Sequence, residues 1–283
     1  MLKNEFDRLV EELSQTEEHP FLNRRSASDK PMPDINILNE IITSIKKVLF
    51  PGFWGYTEIN PHSIQYYIGA NLDIIQRLLS EQIKRGFCFS CLEREPKCRE
   101  CETTSKDICN GFLNEIPKLK KLIISDIAAA FNGDPAAKNY EEVLYCYPGI
   151  IALTYHRIAH ELSLLDVPII PRMINEIAHS LTGIDIHPGA SIGESFFIDH
   201  GTGVVIGETC IIGKNVRLYQ GVTLGAKKFP LDENGQPIKG LPRHPEIGNN
   251  VVIYANATIL GRIKIPDDSV VKGNSWITSL EDI

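Results

Sequence analysis

Through the last third of this 283-residue chain an aliphatic residue returns at every sixth position: Ile186, Ile192, Ile198 and Val204, then small apolar Cys210, Val216 and Val222. The beat resumes at Ile247 and runs through Ile253, Ile259, Ile265, Val271 and Ile277. A period of six is neither the 3.6 of a helix nor the two of an open sheet. One hexad is too short to bury its own apolar residue, but three can form the sides of a triangular coil whose interior is shared with the coils above and below. Coils stack at strand spacing, about 4.8 Å. Gly189, Gly193, Gly207, Gly213, Gly221, Gly225, Gly248 and Gly261 fall between the aliphatic positions, where corners need permissive backbone. A β-sandwich with glycine turns is the alternative, and it does not explain thirteen positions in register.

The stretch before the repeat reads as helices. Asp34–Leu49 carries Ile35, Leu38, Ile41, Ile42, Ile45 and Leu49 on one stripe, and a longer segment runs from His62 to Arg85 beyond the Pro51-Gly52 break. Further helices are expected at Glu115–Phe131, Gly149–Leu164 and Pro171–Thr182. The expected class is therefore α+β: an N-terminal α-helical domain over 1–183, a C-terminal left-handed parallel β-helix of hexapeptide repeats over 184–278, and a short tail over 279–283. Residues 1–33, polar and carrying Pro31 and Pro33, leave open whether they are mobile or pack on a neighbouring subunit.

A net charge of −7 argues against nucleic acid as the main partner, since phosphate binding needs a basic face. No apolar run reaches the roughly 18 residues of a membrane span, and Met1–Val10 carries charges where a signal peptide has its apolar core. A soluble, cytoplasmic protein is expected. Five of the seven cysteines crowd an insertion near 88–109: Cys88, Cys91, Cys98, Cys101 and Cys109. Two CxxC pairs suit zinc or an iron–sulfur cluster, although six residues between them is shorter than in common zinc ribbons and no histidine lies inside. Free thiols or redox pairs remain the alternatives.

Chemistry is better sought in the repeat. His200 follows core-facing Ile198 and precedes Gly201 and Gly203, which open space beside an imidazole suited to general-base work near neutral pH. Asp185 lies fifteen residues earlier, close to the eighteen of one coil, so stacking is expected to bring its carboxylate to the imidazole and fix its tautomer. The beat breaks between Val222 and Ile247, which requires a loop, near 226–245, extruded from the coil. Its end, Leu241-Pro242-Arg243-His244-Pro245, offers a guanidinium and an imidazole between two prolines, a pairing suited to a carboxylate or phosphate.

These residues resemble the serine O-acetyltransferases of the hexapeptide acyltransferase superfamily. The likeness rests on Asp185-Ile186-His187-Pro188, Asp199-His200-x-Thr202-Gly203, Gly207-Glu208-Thr209, Gln220-Gly221-Val222-Thr223-Leu224-Gly225 and Arg243-His244-Pro245. Upstream it includes Asp134-Pro135-Ala136 and Tyr147-Pro148-Gly149, so it covers roughly 115–278. It departs at Gly225-Ala226-Lys227, where many relatives have Gly-Gly-Thr, and in its longer extruded loop.

The resemblance implies that His200 deprotonates the serine hydroxyl for direct attack on acetyl-CoA, with Asp185 holding the imidazole. It implies that Asp134 and Asp199 receive the substrate ammonium, that Arg243 and His244 lie near its carboxylate, and that Gly225, Ala226 and Ala255 let the pantetheine arm approach the backbone. It further implies homotrimers, or hexamers made of two trimers, with His200 and Arg243 acting from different chains. Cysteine is expected to compete for the serine contacts, and the tail ending in Ile283 to enter O-acetylserine sulfhydrylase. The same coil could serve an acetyltransferase for another hydroxyl acceptor, a non-catalytic scaffold or redox-sensing partner, or a γ-class carbonic anhydrase counting His187, His200 and His244 as metal ligands.

Overall fold

The computed structural model describes residues 5–14, 31–90 and 98–282. The chain divides into two units, Met1–Met32 and Pro33–Ile283. The first holds helix α1 (Glu5–Ser14), which the polar reading of this segment missed: Phe6, Leu9, Val10 and Leu13 recur at helical spacing and are all exposed.

In the second unit the helices are α2 (Ile35–Leu49), α3 (Ile64–Ser90), α4 (Cys98–Gly133), α5 (Tyr140–Cys146), α6 (Pro148–Leu164) and α7 (Ile170–Thr182). Asp34 caps α2, accepting from the backbone N–H groups of Asn36 (2.8 Å) and Ile37 (3.4 Å). Leu38, Ile41, Ile42, Ile45 and Leu49 are buried as the stripe requires, and Ile35 stays exposed. The largest departure from expectation is α4. It begins at Cys98, well before the expected start at Glu115, and passes through Pro117, so the described cysteines of the insertion fall on helices: Cys88 on α3, and Cys98, Cys101 and Cys109 on α4. Cys109 is buried, its thiol 3.6 Å from the Gln76 carbonyl.

Gly183, in the left-handed conformation, ends α7 and passes the chain into the coil. Thirteen strands follow: β1 (Asp185–Ile186), β2 (Ser191–Ile192), β3 (Phe197–Ile198), β4 (Val205–Ile206), β5 (Ile211–Ile212), β6 (Arg217–Leu218), β7 (Thr223–Gly225), β8 (Glu246–Ile247), β9 (Val252–Ile253), β10 (Thr258–Leu260), β11 (Lys264–Ile265), β12 (Val270–Val271) and β13 (Trp276–Ile277). They pair in parallel as three faces, β1-β4-β7-β10-β13, β2-β5-β8-β11 and β3-β6-β9-β12, a left-handed parallel β-helix.

The register corrects the hexad count. Val205 pairs with Thr223 and Thr258 with Trp276, eighteen residues apart, but Asp185 pairs with Val205, twenty apart. The two extra residues fall between β3 and β4. Inward strand residues therefore run Ile186, Ile192, Ile198, Ile206, Ile212, Leu218, Leu224, Ile247, whereas Val204, Cys210, Val216 and Val222 form a second buried column that happens to continue the beat. The glycines also divide. Of the eight assigned to corners, only Gly221 and Gly261 have positive φ. Gly193, Gly213 and Gly248 instead sit where a Cβ would strike the next coil, at 2.5, 2.7 and 2.4 Å.

Asparagine and aspartate take most of the other left-handed corner positions, and they ladder: Asn215 Nδ2 donates to Asn250 Oδ1 (3.1 Å) and Asn250 Nδ2 to Asp268 Oδ1 (2.9 Å). Helix α6 closes the open end of the coil, contributing Ala152 and Leu153 to its core, while Phe197 of β3 joins the helical core. A buried pair locks the junction. Arg157 of α6 bonds Asp126 of α4 through Nε (2.6 Å) and Nη2 (2.8 Å) and also reaches the carbonyls of Ile192 and Gly193.

Candidate active site

The two inserted residues carry the candidate base. Asp199 and His200 occupy the corner between β3 and β4, with His200 and Gly201 both at positive φ, 58° and 88°. This bulge pushes the imidazole out into solvent, 69% exposed, with Nδ1 3.6 Å from Asp199 Oδ1. Two helix ends close on the corner. Gly133, the last residue of α4, packs against Arg217 and Phe197 so tightly that a Cβ would lie 2.6 Å from the guanidinium, and this delivers Asp134. Pro148 starts α6, and Gly149 approaches Ile198 so closely that a Cβ would stand 2.4 Å from its carbonyl oxygen. Tyr147, just before, donates its hydroxyl to Asp134 Oδ2, while Ala136 N–H donates to Oδ1 at 2.8 Å.

The Tyr147 bond, then the Ala136 bond, hold the Asp134 carboxyl below its usual range, and the nearby His200 adds to this. Tyr147 is raised in turn, by burial first and by Asp134 second. One corner thus gathers Asp134, Asp199 and His200, with Tyr147 as a member that sequence reading left without a role.

A second group forms at the other edge of the β1-β4-β7 face. Arg243 Nη2 pairs with Glu208 Oε2 at 2.5 Å. Burial pushes the Glu208 carboxyl up, and Arg243 outweighs it, leaving the group below its ordinary range. Thr209 Oγ1 accepts from the backbone N–H groups of Arg243 (2.9 Å) and His244 (3.2 Å), so its own proton goes to His244 Nδ1, 2.8 Å away. Thr209 N–H also donates to that nitrogen, at 3.1 Å. Nδ1 is therefore an acceptor and the ring proton sits on Nε2. Burial, then the Arg243 charge, lowers His244 to about 4, so it is neutral at pH 7. Gly207 is obligatory here, because a Cβ would fall 2.1 Å from the His244 ring. The extruded loop that delivers this pair is an ordered hairpin, with Leu231 bridging Pro237 and Asp232 N–H donating to the Gln236 carbonyl at 2.8 Å.

Within one chain the two groups do not meet. From Gly203 at one corner to Glu208 at the other is five strand steps, about 16 Å. Gly225 and Ala255 are divided in the same way, since Gly225 pairs with Leu260, five residues beyond Ala255, and Ala226 follows Gly225.

Nor does the fifteen-residue spacing stack Asp185 on His200. The intervening coil is twenty residues long, so Asp185 lies under Val205, and its Oδ1 accepts from Asn175 Nδ2 at 3.1 Å. His187 and His244 share one corner and His200 occupies the other, and among the described residues no group of three or more His, Cys, Asp or Glu side chains is arranged for a metal ion. Cys91, the side chains of Cys98 and Cys101, and Ile283 lie outside the described residues. No helix among those described is long and apolar enough to cross a membrane.

A triangular coil with an out-of-phase histidine at one corner and an extruded loop carrying Arg-His at another defines an acyltransferase of the hexapeptide-repeat class. No protein-family profile matches the chain. The plasmid serine acetyltransferase of Synechococcus elongatus is 47% identical over 277 residues, 96% of this chain and 86% of that protein. The chain belongs to the serine acetyltransferase family. A serine acetyltransferase of Synechocystis is 50% identical over 143 residues, 50% of this chain and 54% of its own length. Among solved structures, serine acetyltransferase isoform 3 of Entamoeba histolytica, in complex with cysteine, superposes with a TM-score of 0.71 at 33% identity, covering 96% of this chain and 86% of that one.

Proposed function

We propose that the chain transfers the acetyl group of acetyl-CoA to the hydroxyl of L-serine, with His200 as general base. The observation that carries this reading is the two-residue insertion that lifts His200 out of the coil between Asp199 and Asp134. As the serine oxygen bonds to the thioester carbonyl carbon, the imidazole takes the hydroxyl proton. The C–S bond then breaks and the imidazolium returns that proton to the departing thiolate, so no covalent acetyl-enzyme is required.

Asp134, held ionised by Tyr147, and Asp199 present two carboxylates to the substrate ammonium. Arg243, with neutral His244 beside it, receives the carboxylate. Since the two corners, marked by Gly203 and Glu208, stand about 16 Å apart along one chain, the working site combines the His200 corner of one subunit with the Arg243 corner of the next, which a trimer provides. Gly225, Ala226 and Ala255 face acetyl-CoA from both sides of that junction. With Asp199 drawn to the ammonium, Asp185 is the carboxylate we assign to orient His200: it lies on β1, whose partner strand β4 begins five residues after the base, and it must leave Asn175 to reach the imidazole.

The test is thiol release from acetyl-CoA with L-serine, run beside other hydroxyl acceptors. His200→Ala is expected to lower turnover by about 10²- to 10⁴-fold. Asp185→Asn should lower kcat, and Asp199→Asn should raise KM for serine. The reverse assignment of those two effects would make Asp199 the orienter, and release without serine preference would move the chain to another acceptor.

A further inference from the structure

Arg262 takes no part in the proposed reaction, yet its guanidinium is committed to the root of the loop that carries Arg243 and His244. It sits just beyond β10, one coil above His244 and eighteen residues from it. Nη1 donates downward to the carbonyls of His244 (3.2 Å) and, a further coil below, of Thr209 (2.8 Å), while Nη2 pairs with Glu246 Oε1 at 2.5 Å. The strand ladder does not serve these two carbonyls: it starts with Ile211 N–H on Pro245 O (3.2 Å) and Glu246 N–H on Ile263 O (2.8 Å). The guanidinium supplies both with a donor. From below, Thr209 Oγ1 already takes the N–H groups of Arg243 and His244, so the main chain of His244 is held on its N–H and on its carbonyl. The preceding residue holds the other root of the loop. Gly261, at φ 91°, donates its N–H to Gly225 O at 2.9 Å, and a Cβ there would lie 3.2 Å from Lys227 Cβ. One dipeptide therefore spans the mouth of the loop, whose body from Lys227 to Pro242 is exposed.

We infer that Arg262 is a positioning residue for the carboxylate half of the proposed site: its bridge from Thr209 O to His244 O fixes where the loop re-enters the coil, and hence where the Arg243 guanidinium stands. This rests on the acetyl-transfer reading and extends it to a residue outside the reacting groups. With Nη1 and Nη2 both engaged, Arg262 acts through the main chain it holds. Arg243 has an anchor of its own in Glu208, but that contact ties one side chain to another and leaves the backbone beneath Arg243 to be fixed by other bonds. A shift of about 1 Å at a guanidinium spoils a two-pronged contact with a carboxylate. The groups around His200 are set by α4, α6 and the corner after β3, and keep their places. The effect of Arg262 therefore belongs to serine binding and not to proton transfer.

Steady-state kinetics with L-serine and acetyl-CoA, beside amide hydrogen exchange over residues 241–246, are measured for wild type, Arg262→Met and Arg262→Lys. In Arg262→Met the KM for serine is expected to rise by about tenfold, while kcat and the KM for acetyl-CoA stay within about twofold. The amides of Arg243 and His244 should exchange faster in that variant. Arg262→Lys keeps the charge but offers a single nitrogen, so its serine KM should fall between the other two. It also decides the question if the methionine variant melts too low to assay. Equal losses in kcat and in both KM values, with a lowered melting temperature, overturn the inference and leave Arg262 a general support of the coil. Faster exchange with an unchanged serine KM overturns it too, since the clamp then holds the loop without placing Arg243. Wild-type chain that releases no thiol in response to serine overturns the acetyl-transfer reading and this role with it. Serine-dependent wild type matched by Arg262→Met in serine KM overturns the positioning role alone.

Discussion

His156 sits where helix α6 meets the first coil, fully buried, with Nδ1 lacking any partner and its ring stacked on His160 at 5.6 Å. Burial first, then the charges of His160, Arg157 and His187, lower its pKa well below 6.5, while a backbone bond at Ala190 pulls weakly the other way. The folded chain therefore keeps this ring neutral, and the unfolded chain protonates it near pH 6.5. Below that pH the unfolded state binds more protons, so stability present above 6.5 is lost as the solution is acidified, at up to about 1.4 kcal/mol per pH unit for one group. His187, also lowered chiefly by burial, adds in the same direction. Melting temperature should fall between pH 7.5 and 5.5, and His156→Asn should flatten part of that slope. A slope identical in the variant would show that His156 takes no part.

At the scale of elements, the Arg157–Asp126 pair joins α6 and α4 to the coil. Both side chains are buried, and Asp126 Oδ1 also accepts from Phe196 N–H at 3.0 Å. Asp126→Asn leaves a guanidinium buried without its counter-charge and should cost about 3–5 kcal/mol in denaturant unfolding. The double replacement Asp126→Leu with Arg157→Met should cost less than the single one, and an additive loss would mean that the pair is not coupled.

The sequence made the coil legible because its inward residues are aliphatic and evenly spaced, and α2 was legible because Asp34 caps an apolar stripe. It hid the change of phase. Val204 stands six residues after Ile198 and is itself buried, so the second column masked the insertion. His200 stood out by residue type, but its partner did not. Tyr147 is a common residue thirteen positions from Asp134, and only the close packing of Gly133 and Gly149 brings the two together. The stacking expected of Asp185 failed for the same reason as the beat, a coil of twenty residues counted as eighteen.

At the scale of the whole molecule, the proposed site draws on two groups that lie on opposite edges of one face. Chains bearing His200→Ala and chains bearing Arg243→Ala should each form nearly inactive assemblies. Unfolded together and refolded as a mixture, they should recover a substantial fraction of wild-type turnover, because some junctions then join an intact His200 corner to an intact Arg243 corner. No recovery in mixed assemblies of normal mass would place both groups in the site of a single chain.

The corner that carries His200 and Gly201 is two residues longer than the eighteen-residue turn that follows it. Shortening that corner by two residues would give it the length of the following turn and would remove the proposed base. On the proposed reaction, the activity rests on a local lengthening of one turn, so it can be lost by a change much smaller than the fold that carries it.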